Sequence, residues 1–447
     1  MKIKRLGLNK SVFSRGWLFA VLLVLLFSTS CQGLPIKIEL PWVNSPEPTE
    51  DAQMPVDAIG TPTPISPEPE PTLTAETGVE KLLIWLPPEL SPNEESLAGY
   101  LLQEKLNNFA RENKIEVIVR VKSQTGSGSL TDSLTATNLV ANSLLPDLIV
   151  LSATDLQLAA KRDLIYPHPR LQEMMNDTDW YPIGQEVSLV DGQVLGIPLL
   201  TNPLTLVYNE ASLLVPSNEW TGIKDNFGYF GFAADDSQAK YLLMLYVSVG
   251  GKVMDAQGHA ILEEEPLVEA LTALKEGQSA LHISNLTVGF QTEDQVWNAF
   301  LNRSLDTAIV PVATILNRGE SVNNQPKPAI TAPDLTLGTA MAWALGSDDP
   351  TRQEHALKLL VELTETEFLS SWSEALGWLP ARPSALGAWK EPNLKPSLEK
   401  IAQATRLYPP EEIVNRLGPA LRNAALLILR DGADPLETAK TTIESIK

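Results

Sequence analysis

The stretch PDLIVLSATDLQLAAKRDLIYP, residues 146–167, decides the fold class. Pro146 stops a preceding helix, because its ring blocks the helical hydrogen bond. DLIVLS then runs almost wholly apolar, the composition of a strand buried on both faces. Past Ser152 the pattern changes, and DLQLAAKRDLI (155–165) reads as a short helix. Toward the N-terminus the same alternation repeats. KLLIWL (81–86) is a buried strand ended by Pro87-Pro88, and SLAGYLLQEKLNNFAREN (96–113) sets Leu97, Leu101, Leu102, Leu106 and Phe109 on one helical face. IEVIVRV (115–121) alternates as a strand, SQTGSGS (123–129) is a loop, and LTDSLTATNLVANSLL (130–145) is a helix. This β-α-β-α-β-α order predicts a mostly parallel sheet with helices on both faces. Ligands of such sheets sit beyond the C-terminal strand ends, which singles out Trp85 and Glu89 after the first strand and Ser152 to Asp155 after the third.

The middle of the chain departs from that regularity. In YPIGQEVSLVDGQVLGIPLLTNPLTLVYNEASLL (181–214) the polar turn Asp191-Gly192 separates apolar runs, and the chain passes through Pro198 and Pro203 into an extended LTLVYN. A helix follows at 237–249, stopped by Gly250-Gly251, with further helices at 265–281 and 293–302. Strands return at LDTAIVPVATIL (305–316) and TLGTAMAWAL (336–345), and helices dominate from Thr351 onward. Strands that come back after a helical block predict two α/β lobes between which the chain crosses more than once. The expected division is 80–200 with 306–350 in an N-terminal lobe, and 201–305 with 351–447 in a C-terminal lobe.

The front end is of another kind. Lys2, Lys4, Arg5, Lys10 and Arg15 precede an apolar run from Trp17 to Phe27. That run rises only ~16 Å as a helix, about half a bilayer's hydrocarbon core. A basic region, a short apolar core and the small residues Ser28, Thr29 and Ser30 describe an export signal over residues 1–30. Directly behind it stands Cys31, the one cysteine of 447 residues. Between Leu34 and Gly78 come ten prolines and eight acids against a single lysine. Such a composition stays extended and buries no core, so 31–79 reads as a tether.

The remaining body is globular by its share of the 44% hydrophobic content, while the net charge of −21 argues against a nucleic-acid surface. His168, His259, His282 and His355 lie far apart, with no metal-ligand spacing. Gly126-Ser127-Gly128 lacks the strand-to-helix elbow that serine hydrolases need, and no Walker-type phosphate loop occurs. No catalytic residue, metal or cofactor is expected.

Several of these pieces, in order, resemble the extracellular solute-binding proteins of ABC importers, in the branch that includes maltose-binding protein. PDLIVLSATDLQLAAKRDLIYP and DGQVLGIPLLTNPLTLVYNEASL resemble the family's first-lobe strand, helix and turn and its first crossover. FLNRSLDTAIV resembles the return strand, and 339–386 together with ALRNAALLILRDGADPLETAKTTIESI resemble its C-terminal helices. The resemblance implies a two-lobed periplasmic-binding fold of type II, each lobe a mostly parallel sheet flanked by helices, with hinge crossovers. It implies a monomeric receptor that closes over a small polar solute, most typically a sugar or oligosaccharide, and hands it to permease subunits in the membrane. Small residues before Cys31 resemble a lipobox, with Ser28 where leucine is usual, which implies lipidation of Cys31 and an anchor on the outer face of a bacterial membrane. The alternatives are a receptor-like sensor or scaffold without transport, and a secreted glycoside-acting enzyme.

For the ligand site the resemblance singles out Asp155 as a gripping carboxylate, with a helix N-cap as the equal alternative. The family's aromatic platforms are replaced by Ser152, by Thr314 in Pro311-Val312-Ala313-Thr314, and by Gly418. Trp85, Trp297 and Trp378 are candidates to rebuild a platform, against a core role for each. Thr201 and Asn202 beside the crossover, and Asp236 and Gln238 at a helix start near Asp236, complete the expected set.

Overall fold

The structure is a computed structural model that describes residues 80–447, apart from 94, 125, 127, 141–143, 210–218, 226–227, 318–327, 332 and 391–392. The signal, the tether, Cys31 and Ser127 lie outside the described residues.

Strand β1 (Lys81–Leu86) leads through a short 3-10 turn to helix α1 (Leu97–Asn113), β2 (Glu116–Val121), α2 (Leu130–Val140) and β3 (Leu148–Ser152). Then come α3 (Ala153–Lys161), α4 (Pro169–Met175), α5 (Pro182–Ser188) and a small hairpin, β4 (Leu189–Val190) and β5 (Gln193–Val194), turned at Asp191-Gly192. β6 (Ile197–Asn209) is the long strand; β7 (Phe230–Gly231), α6 (Lys240–Ser248), α7 (Glu264–Ser279) and α8 (Glu293–Leu301) follow. β8 (Thr307–Pro311), α9 (Val312–Leu316), β9 (Pro328–Thr331) and β10 (Thr336–Leu345) bring the chain back. The remainder is α10 (Pro350–Leu363), α11 (Thr366–Leu376), β11 (Leu379–Pro380), α12 (Pro383–Gly387), α13 (Lys395–Ala404), β12 (Thr405–Leu407), α14 (Glu411–Asp431) and α15 (Pro435–Ile446).

The strands join in the order β2-β1-β3-β10-β6-β8-β7. β1 pairs in parallel with β2 and β3, as the βα alternation requires, whereas β10 runs antiparallel to both β3 and β6. β6 serves both halves of the fold. Its first residues, through Pro203, pair with β10, and Leu204 to Tyr208 pair with β8. Two prolines are tolerated there because the ladder is irregular: the register shifts beside Pro198, and the Leu199 carbonyl accepts instead from the Ala381 N–H at 3.0 Å.

Alternation along the strands builds two faces. Leu82, Ile84 and Leu86 of β1 join Leu148 and Val150 of β3 under α1, α10 and α11, while Leu83, Trp85, Ile149 and Leu151 face α2, α3 and α5. The second half has its own core of Phe230, Phe232 and Tyr241–Tyr246 against α7, α14 and α15.

Strand pairing and helix packing bear on the expected division at two places. β8 pairs with β6 at 204–208 and with β7, so residues 307–311 stand in the second half and not in the first. Helices α10 and α11 pack their apolar faces on the core of β1, β3 and β10, hence in the first half. Apolar periodicity shows that a strand or helix is buried but carries no label for the sheet it joins.

Candidate functional site

The strand directions place the site. β3 and β8 point at one another along β6: Ser152 at the end of β3 is opposite Met341, which is opposite Leu200, while Pro311 at the end of β8 is opposite Leu204. The C-terminal ends of both half-sheets therefore converge on Thr201–Pro203, and α3 and α9 start there from opposite sides. This is the crevice that an open α/β sheet offers a ligand, doubled.

Ser152 caps α3. Its Oγ accepts from the Asp155 N–H at 3.1 Å and donates to Asp155 Oδ2 at 2.7 Å, while Asp155 Oδ1 accepts from Thr131 Oγ1 at 2.6 Å. Ser152, and not Asp155, is therefore the cap of α3, and the Asp155 carboxylate ties α2 to α3. Asn202 Oδ1 accepts from the Ala313 N–H at 3.0 Å, so the crossover strand caps the first turn of α9, where Thr314 is half-buried. Thr201 is 1% exposed, beside Ala340 and Leu379, and its hydroxyl has no partner among the described residues.

The loop after β7 supplies the facing wall. The expected helix start near Asp236 is corrected: α6 begins at Lys240, after Ala239 in a left-handed conformation (φ 48°). Asp236 prepares that start from a distance, accepting from the N–H groups of Gln238 and Lys240, both at 3.1 Å. Gln238 is half-buried beside the helix α14, where a Cβ on Gly418 would lie 2.6 Å from the Ser237 carbonyl oxygen. Glycine at 418 is what lets the two backbones meet. Asp235 next to it is bound by the Arg422 guanidinium (Nε at 2.7 Å) and by Gln291 Nε2 at 3.1 Å. The Gln291 hydrogen bond, followed by those of Arg422, holds its carboxyl below the ordinary carboxylate range.

The aromatic candidates are placed differently. Trp85 is 1% exposed in the core, with Lys122 Nζ 4.5 Å above its ring; Lys122 also donates to Ser133 Oγ at 3.1 Å. Trp297 is 8% exposed and stacked on Phe300, ring centres 5.4 Å apart. Trp378 is half-buried against the core of α10 and α11. Trp85 and Trp297 lie in the core, whereas Trp378 directly precedes Leu379, which pairs with Thr201 at the convergence of strand ends. Glu89 is exposed in the turn after β1 and accepts from Gln124 Nε2 at 3.3 Å.

Two features have no local signature in the sequence. Tyr408 reaches the crevice through β12, which pairs with β10 so that the Tyr408 N–H donates to the Gly338 carbonyl at 3.1 Å, beside Pro203. Burial, and then the carboxylates of Glu293 and Asp236, push its hydroxyl well above the ordinary tyrosine range, and no described residue partners it. The second is a cavity of about 230 Å³ between α3 and the start of α14. It is walled by Thr154, Gln157 and Leu158 on one side and Pro410, Glu411 and Asn415 on the other, with Lys161 and Glu412 at its edge. Its lining offers hydroxyl, amide and carboxylate groups and no aromatic ring.

An α/β fold whose two half-sheets meet strand end to strand end along β6 defines a class, that of two-lobed periplasmic binding proteins. The chain belongs to the bacterial extracellular solute-binding protein family, whose profile matches residues 106–396. No curated protein sequence matches it. Among solved structures it is similar to an extracellular solute-binding protein from Staphylococcus aureus in complex with maltose, at 14% identity and a TM-score of 0.66 over 82% of this chain and 96% of that one. It is also similar to the maltose-binding periplasmic protein MalE from Listeria monocytogenes in complex with maltose (13%, TM-score 0.61, 82% and 97%). An ABC transporter solute-binding protein from Thermotoga lettingae bound with α-D-tagatose matches at 18% identity and a TM-score of 0.57, over 82% and 98% of the two chains. At such identities the likeness is one of fold.

Proposed function

We propose that this chain is the receptor of an ABC importer, taking a neutral, hydroxyl-rich solute, a sugar or oligosaccharide, between its two halves and presenting it to permease subunits. The observation that carries this reading is the meeting of both half-sheets' strand ends over Thr201–Pro203, with capped helices α3 and α9 aimed inward. Hydroxyl, amide and charged groups line the adjoining cavity, which suits a solute gripped by hydrogen bonds more than by stacked rings. The maltose and tagatose carried by relatives of the same fold point to the same ligand class. The reading includes no catalytic step: the receptor gains its selectivity by closing, which excludes water from the polar contacts.

We divide the lobes by the strands that pair with each part of β6, 80–203 with 336–404 in one half and 204–331 with 411–447 in the other. Export with a lipid on Cys31 and the proline-rich tether would keep the receptor beside its permease. Replacing Cys31 with alanine should release the protein into the medium, and mass spectrometry of the membrane-bound form should show an acylated N-terminal cysteine.

A thermal-shift screen over maltose, maltotetraose and tagatose tests the ligand class. A solute at 100 times its dissociation constant adds ~2.7 kcal/mol to stability. Small-angle scattering with that solute should show a smaller radius of gyration. No shift with any sugar would overturn the carbohydrate reading. Release of glucose from maltotetraose would replace it with a glycoside-acting enzyme. A receptor acting as sensor or scaffold is the second reading, favoured by the internally bonded Asp155; its mark would be sugar binding with no stimulation of any permease ATPase.

A further inference from the structure

Lys161 is the last residue of α3, which docks on β3 and β10, and Glu412 is the second residue of α14, which docks on α6 and α7. Their side chains meet across the crevice, Lys161 Nζ lying 3.3 Å from Glu412 Oε1. The pair stands at the edge of the 230 Å³ cavity between the two helices. From this geometry we infer that Lys161 and Glu412 form an electrostatic latch, which biases the two halves toward closure and makes solute affinity depend on ionic strength even when the solute is uncharged.

The two helices belong to different halves, so the contact is made when the halves are close and lost when they part. Each charge is also placed well without its partner: a cation ends α3 and an anion begins α14, and both complement their helix's dipole. Neither side chain has to be recruited from elsewhere when the crevice shuts. Both are more than half exposed, at 55% and 67%, so their attraction is of the kind that dissolved salt screens. The neighbouring charges have other partners: Glu411 accepts from Asn415, and Arg162 donates to Thr135. A latch of this strength shifts a population ratio by a few-fold and does not lock it.

The test of the latch needs no ligand. With Cys31→Ser as background, Gln172→Cys on α4 and Glu444→Cys on α15 place one spin label on each half for distance measurement. At an ionic strength of about 0.01 M the screening length is ~30 Å and at about 1 M it is ~3 Å. The distance distribution should lengthen with salt. Lys161→Glu should give the long distribution already at low salt, and the swapped pair Lys161→Glu with Glu412→Lys should restore the short one. Glu412→Gln serves where the charge reversal fails to fold. Distributions that superimpose across salt and variants overturn the latch.

The consequence for affinity rests on the reading of the crevice as the solute site, and titration with maltose addresses it. Binding should weaken several-fold from low to high salt, with the dependence abolished in Lys161→Met. If the label distance responds to salt and maltose does not bind, the latch stands and the sugar reading falls. If maltose binds with no salt dependence while the distances stay fixed, the reverse holds.

Discussion

Asp147 lies at the head of β3 with 1% of its surface exposed, accepting from the Leu83 N–H at 2.6 Å and ion-paired to Arg352. Burial raises its carboxyl above the ordinary range, and the Leu83 hydrogen bond and the Arg352 charge pull against that rise. Arg352→Met leaves the carboxylate without its counter-charge and should cost about 3 kcal/mol in urea unfolding at neutral pH. A raised carboxyl lends its stability at acid pH and loses it as pH climbs through the folded value, so this deficit should narrow toward acid. Asp235 has the opposite sign. Its carboxyl is held low by Gln291 and then Arg422, so its contribution is present above the ordinary value of 3.8 and is lost as pH falls through the lower folded one. Asp235→Asn should melt below wild type at pH 7, and the gap should close below pH 3.8. At this scale the sequence exposed residues that act on near neighbours. A cap at the start of α3 is local and so legible, although the capping residue is Ser152 where the sequence suggests Asp155. Tyr408 could not, since its nearness to Asp236 is set by the register of β12 on β10 and leaves no trace in the residues around it.

Among the elements, β6 does the most with the least help from composition. Its two prolines argue against an inner strand, yet it stands between β10 and β8. Strand and helix existence was legible wherever apolar spacing was long: β1, α1, β3 and β10 fall where the periodicity puts them. Periodicity carries no label for the sheet an element joins, because a buried strand reads alike on either one. The start of α6 differs from the sequence expectation for another reason. Asp236 has the chemistry of a cap, but the left-handed Ala239 inserts a turn before the helix begins. The junction of β6 with α9 supplies a prediction at this level. Asn202→Ala removes the acceptor for the Ala313 N–H, which should cost ~1 kcal/mol and weaken solute binding together with stability. Thermal melting and maltose titration of the same variant separate the two effects.

For the molecule as a whole, the order of strands in space is not their order along the chain. β10, made of residues 336–345, is inserted between β3 and β6, and it completes the ladder of both. A chain ending at Asp334 should therefore lack cooperative unfolding and near-ultraviolet circular dichroism, although it retains every earlier strand. The same topology bears on biosynthesis. The extracellular family implies export, and a chain that is still open crosses a membrane more readily than a closed domain. Here the strand that closes the central sheet is among the last to be synthesised, so the timing of assembly is written into the connectivity. Maturation waits until the greater part of the polypeptide has been delivered.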